Sequence, residues 1–103
     1  MKTTHRTIDA RLLRLTQAVV GHIDRDASLR QRMVENVSRW TDEARRKRWE
    51  KLLRLPWPDL RALLLAENEH SAALRQDAPL GGMLPPAERA RIMRELADDS
   101  RAA

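Results

Sequence analysis

The chain contains no cysteine, which excludes disulfides, thiolate nucleophiles and Cys-based zinc sites and makes a reducing cytoplasm its expected home. It also has no Phe and no Tyr, so beyond three Trp a core must be built from Leu, Val, Ile and Ala. Only 3 Gly and 5 Pro interrupt 103 residues, few enough to leave most of the chain free to be helical. No stretch approaches the roughly 20 apolar residues of a membrane span. Asp9, Arg11 and Arg14 interrupt the N-terminal region before an apolar leader could form, so no membrane partner is expected.

What is present favours folding over disorder, with 42% hydrophobic and 34% charged residues. A chain of 103 residues forms one domain with a single modest core, here expected to be ordered over about 5–97, with 98–103 as a frayed tail. A core this small leaves room for stabilisation by a partner or by a homo-oligomer. The net charge is +5, and its distribution is uneven: residues 1–58 hold 14 Lys and Arg against 7 Asp and Glu, while residues 59–103 hold 6 against 8. A basic half of this kind suits nucleic acid. An Arg-rich, Lys-poor composition is also what a GC-rich genome produces.

The most continuously apolar stretch is 55–66, where Leu60, Leu63, Leu64 and Leu65 fall within two helical turns. Pro56 stops the preceding helix and Pro58 is tolerated in the first turn of the next, which predicts a central helix over 58–66 that the others cover. Upstream, Ile8, Leu12, Leu15, Val19 and Ile23 mark one stripe of a first helix capped by Thr4 or Thr7. Leu29, Met33, Val37 and Trp40 mark a second from Asp26 or Ser28. The register then slips, and Thr41, Asp42 and Glu43 give a start signal for a third helix over 42–54, with one long bent helix as the alternative. Asn68 is placed to cap a short helix ending at Gln76. The segment 77–84 is a loop whose Leu80, Met83 and Leu84 are too apolar for open solvent, so it should fold back on the bundle. Pro85 and Pro86 open a last helix with Ile92, Met93 and Leu96 on its buried face. The expected fold is all-α, a single bundle of five to six short helices.

Candidate chemistry is sparse. Arg45, Arg46, Lys47 and Arg48, with Lys51 and Arg54, form the densest basic cluster; they read as phosphate contacts with Trp49 stacking on a base, or as a solvated helix face with Trp49 turned inward. Glu67 and His70 have the spacing of one half of a di-iron site but no second half, and Asp24 with Asp26 lacks the rest of a calcium loop, so no metal and no cofactor are expected. Gly81 and Gly82 precede a helix that begins with two prolines, which removes phosphate-binding N–H groups and favours a tight turn. No nucleophile motif surrounds any serine, and enzyme activity is not expected.

The run Leu74, Arg75, Gln76, then Pro79, Gly82, Leu84, Glu88, Arg89 and Ile92 resembles the C-terminal signature of a family of short bacterial helical proteins, and Trp40, Trp49 and the leucines after Trp49 fit its middle section. Leu80 stands where that family usually has an aromatic residue, and Ala90 where it has Trp. The resemblance implies an antitoxin-like role: a non-catalytic protein that binds a toxin or a regulated enzyme encoded nearby. Helix-in-groove recognition needs only an amphipathic face and a few aromatic or Arg anchors, and the anchors it suggests are Trp40, Trp57, Arg75, Pro79, Leu80, Gly82 and Leu84. The alternative is a DNA- or RNA-binding regulator using the surface of residues 45–54.

Overall fold

In a computed structural model, described for residues 5–102 of the backbone and 9–99 of the side chains, the chain folds as six α-helices with no strand among the described residues. They are α1 (His5–Arg25), α2 (Arg30–Ser38), α3 (Glu43–Leu52), α4 (Trp57–Leu65), α5 (Glu69–Asp77) and α6 (Pro86–Ala102), with a 3₁₀ turn at Ala27–Leu29 leading into α2. The all-α bundle expected from the sequence is the observed architecture.

The helix starts follow local chemistry. Asp26 accepts from Ser28 N, Asp42 from Arg45 N at 3.1 Å and Asn68 from Ser71 N at 2.8 Å, each supplying an acceptor for one of the unpaired N–H groups of a first turn. At the third helix the cap is thus Asp42, not the hydroxyl of Thr41. Pro56 is the N-cap of α4, and Trp57 and Pro58 form its opening. Thr7 lies inside α1, which is already helical at His5, so it is not the cap of the first helix; Thr4 and the side chain of Ile8 lie outside what is described. At the other end α6 continues past Asp98 to Ala102, beyond the point where the sequence suggests fraying.

The hub of the bundle is α1, not the leucine-rich α4. Thr16, Val19, Val20 and Ile23 are all buried on α1, whereas α4 buries Leu60 and Leu64 and leaves Leu63 and Leu65 half-covered. α1 packs against α4, α5 and α6, and α6 packs chiefly on α1 through the fully buried Ile92. A 21-residue helix is about 31 Å long, which explains why the molecule measures 41 × 26 × 26 Å. α2 and α3 pair with each other and close the core with Met33, Val37 and Trp49. Trp49 is 0% exposed, so the inward reading of that residue holds and base stacking by it does not.

Polar contacts between helices fasten the bundle, two of them centred on α1 and its neighbours α5 and α6. Arg75, 3% exposed, bonds Asp9 Oδ1 of α1 through Nε and Nη2 at 3.1 and 2.8 Å. Its Nη1 donates to the carbonyls of Leu64 and Ala66 at 2.9 and 2.7 Å, at the end of α4 where carbonyls lack helical partners. One guanidinium therefore ties α1, α4 and α5 together. On the opposite flank, His22 Nε2 and Glu88 Oε2 lie 2.6 Å apart and join α1 to α6. The His22 hydrogen bond holds the Glu88 carboxyl below its ordinary range, with Arg91 and Arg25 adding to the effect against partial desolvation.

Candidate partner-binding surface

The loop 78–85 joins α5 to α6 and carries most of the residues singled out by the resemblance. It is anchored from below: Pro79 is fully buried, and Asn36 of α2 donates through Nδ2 to the carbonyls of Pro79 and Gly81 at 2.9 and 3.1 Å. Leu80, Met83 and Leu84 pack against the core as half-buried side chains, so the loop folds back on the bundle as its apolar content suggests. Its tip is a turn closed by Met83 N to Leu80 O at 3.2 Å, with Gly82 at φ 72° in third position. That is the type II pattern, which demands glycine there because an L side chain is strained at positive φ.

A groove opens on each side of this loop. One, of about 550 Å³, runs between α1 and the loop and is lined by Leu12, Leu15, Leu80 and Leu84, with Gln76 and Arg89 at its edge. The other, of about 370 Å³, lies towards α2 and α3 and is lined by Asn36, Arg39, Trp40, Arg45, Pro79 and Gly81. Trp40 is half-buried there, with the Arg45 guanidinium 3.4 Å from the centre of its ring in cation–π contact. The face around the loop thus carries Trp40 in one groove and Leu80, Gly82 and Leu84 in the other, while Pro79 is buried beneath the loop and is not free to meet a partner.

Arg75 and Trp57 do not join that face as free anchors. Arg75 borders the larger groove, but its guanidinium is committed to Asp9 and the α4 carbonyls. Trp57 opens α4, donates its indole N–H to Asp24 Oδ1 at 2.8 Å and carries Arg30 5.7 Å over its ring. That indole bond is the main reason the Asp24 carboxyl sits below its ordinary range; Arg61 and Arg25 reinforce it against desolvation.

No protein-family model, curated protein or solved structure matches the chain. Its chemistry must therefore be read from the side chains themselves.

The basic cluster on α3 is largely paired within the chain. Arg45 places Nε 2.5 Å from Asp77 Oδ1, out of line for a hydrogen bond, and donates through Nη2 to the Asp77 carbonyl at 2.9 Å. Arg46 meets the Trp40 carbonyl and Glu50, Lys47 meets Glu43, and Arg48 meets Asp77. Lys51 and Arg54 are exposed and make no ion pair with a described residue. Glu67 and His70 are exposed on either side of the Asn68 cap, and no group of acidic or His side chains among the described residues could hold a metal. No helix described here is long and apolar enough to cross a membrane.

Sequence reasoning missed Asn36, Arg39 and Asp77. Asn36 had a signal: asparagine is a poor residue for a helix interior unless its side chain has work of its own, and here it holds the loop. Asp77 is the last residue of α5, a place where the helix dipole disfavours a carboxylate, and that too hints at external cations.

Proposed function

We propose that this protein is a small non-catalytic, antitoxin-like module that binds a partner protein, a toxin or a regulated enzyme, and neutralises or regulates it by covering its surface. The observation that carries this reading is the loop 78–85: fixed from beneath by Asn36 and Pro79, it presents a bare tip between two open grooves. A rigid loop loses little conformational freedom on docking, which favours affinity. The deciding experiment is purification of the tagged protein from its native host, with and without nuclease, followed by mass spectrometry. A single protein retained in stoichiometric amount after nuclease is the expected result, and growth arrest by that protein, relieved on co-expression, would establish neutralisation.

A second reading is a nucleic-acid-binding regulator, supported by Lys51 and Arg54, which are exposed and have no ion-pair partner among the described residues, beside Arg45, Arg46, Lys47 and Arg48. Each phosphate contact would contribute a salt-dependent release of counterions. Four of those six cations already have partners in the chain, which lowers the charge on offer. Retention of nucleic acid, with every protein lost on digestion, would favour this reading over the first.

A further inference from the structure

Gly81 is a glycine that the fold does not require. It occupies the second position of the turn at 80–83, its φ is not positive, and a Cβ built there meets no atom within 4 Å. That position of a type II turn accepts most residues, proline among them. A glycine in such a place costs stability through the freedom it gives the unfolded chain. What the missing side chain leaves is backbone open to close approach from outside. Gly81 also borders both grooves, as Ala78 does at the base of the loop.

Three arginines surround this tip. Arg32 stands on α2, Arg39 caps its C-terminus and Arg89 stands on α6; all are exposed, and none forms an ion pair with a described residue. Arg32, Asn36 and Arg39 follow at steps of four and three, so they share a helix face, and the Asn36 bonds turn that face towards the loop. Arg32 reaches the Gly82 carbonyl at only 3.4 Å. Of the carboxylates on the neighbouring elements, Asp77 and Glu88 are paired with cations, and the exposed Glu35 and Asp42 stand against three cations.

We propose that the tip at 81–82 is a saddle crossed by an extended acidic segment of the partner protein. The segment's backbone lies against Gly81, an apolar side chain enters the groove of Leu12, Leu15, Leu80 and Leu84, and its carboxylates meet Arg39 and Arg89. This rests on the protein-binding reading and adds the chemistry of what is bound. Nucleic acid would meet the same cations, but it would find poor stacking platforms: Arg45 covers a face of Trp40, Trp49 is buried, and Trp57 is tied to Asp24 beneath Arg30.

The test uses the full chain with the exposed groove residue replaced, Gln76→p-benzoylphenylalanine, photo-cross-linked in native-host lysate, and the attached peptide sequenced by mass spectrometry. The protein so captured is then purified and titrated against wild type, Gly81→Ala and the double variant Arg39→Glu with Arg89→Glu. The expected result is a cross-link within a segment rich in Asp and Glu, affinity weakened about tenfold by Gly81→Ala with no fall in melting temperature, and a larger, salt-sensitive loss in the double variant. A cross-link to a basic segment or to nucleic acid overturns the proposal, as does unchanged affinity in either variant. If a partner binds all forms equally, the saddle fails and the protein-binding reading survives; if no protein is retained, both fail.

Discussion

The indole N–H of Trp49 donates to Asp77 Oδ2 at 3.1 Å, joining a fully buried aromatic of α3 to the last residue of α5. Arg45 and Arg48 approach the same carboxylate from α3, at 2.5 and 3.4 Å. A negative charge at a helix C-terminus is disfavoured by the helix dipole, and these cations offset that. The densest basic stretch of the sequence therefore serves in good part to hold two helices together, which is why its charge count overstates what it offers to a phosphate backbone.

Asp77→Ala leaves the buried Trp49 N–H without its acceptor, and stability should fall by about 1–3 kcal/mol. Asp77→Asn keeps an oxygen in reach of the indole and should lose less, although it gives up the attraction of both arginines. Urea denaturation followed by tryptophan fluorescence compares the two. Equal losses would show that the charge, not the acceptor, is what matters at this position.

Arg75→Ala removes the side chain that links Asp9 to the carbonyls of Leu64 and Ala66, and should destabilise the bundle by about 3 kcal/mol, the scale for breaking a buried charged pair. Arg75→Lys should recover only a fraction of this. An ammonium lacks the planar fork that serves Asp9 and two carbonyls at once. Denaturant midpoints for the three proteins order as wild type, Lys, then Ala; a lysine variant as stable as wild type would refute the geometric account.

Much of this architecture is legible in the sequence because it rests on local signals. The Asn68 cap, the prolines at the start of α4 and the break after Trp40 each depend on a few neighbouring residues. The hub was not legible in that way. Leu60, Leu63, Leu64 and Leu65 look like the centre of a bundle, yet the nine-residue α4 shows only Leu60 and Leu64 to the deepest core, while 21-residue α1 spans the molecule and buries Thr16 and Val20 off the expected stripe. For the site, Pro79, Leu80 and Leu84 could be singled out as apolar loop residues. The fate of Arg75 could not, since its partners Asp9 and Leu64 are 66 and 11 positions away and only the packing of three helices brings them within reach.

Acid should weaken the fold through two carboxylates. Asp24 and Glu88 are both held below their ordinary values of 3.8 and 4.5, by the Trp57 and His22 hydrogen bonds first. A folded-state carboxyl that is more acidic than its unfolded counterpart contributes stability that is fully present above the unfolded value. That contribution disappears as pH falls through the lowered folded-state value. The urea midpoint should therefore decline as pH drops below about 4.5, and Asp24→Asn should flatten the lower part of that decline. A slope indifferent to both Asp24→Asn and Glu88→Gln would mean that other carboxylates govern acid unfolding.

The neighbouring glycines of the loop tip should respond in opposite directions. Gly82 sits at φ 72°, where a Cβ crowds the backbone, so Gly82→Ala should lose about 1–2 kcal/mol although the space around it is open. Gly81 has ordinary φ and the same open surroundings, so Gly81→Ala should gain about 0.4–1 kcal/mol by restricting the unfolded chain. Differential scanning calorimetry resolves shifts of this size in a domain of 103 residues. A loss at both positions would mean that Gly81 is held by the turn itself and has no need of an outside occupant. A gain at Gly81 would leave its glycine unexplained by folding, and the reason for it would have to lie in what the loop touches.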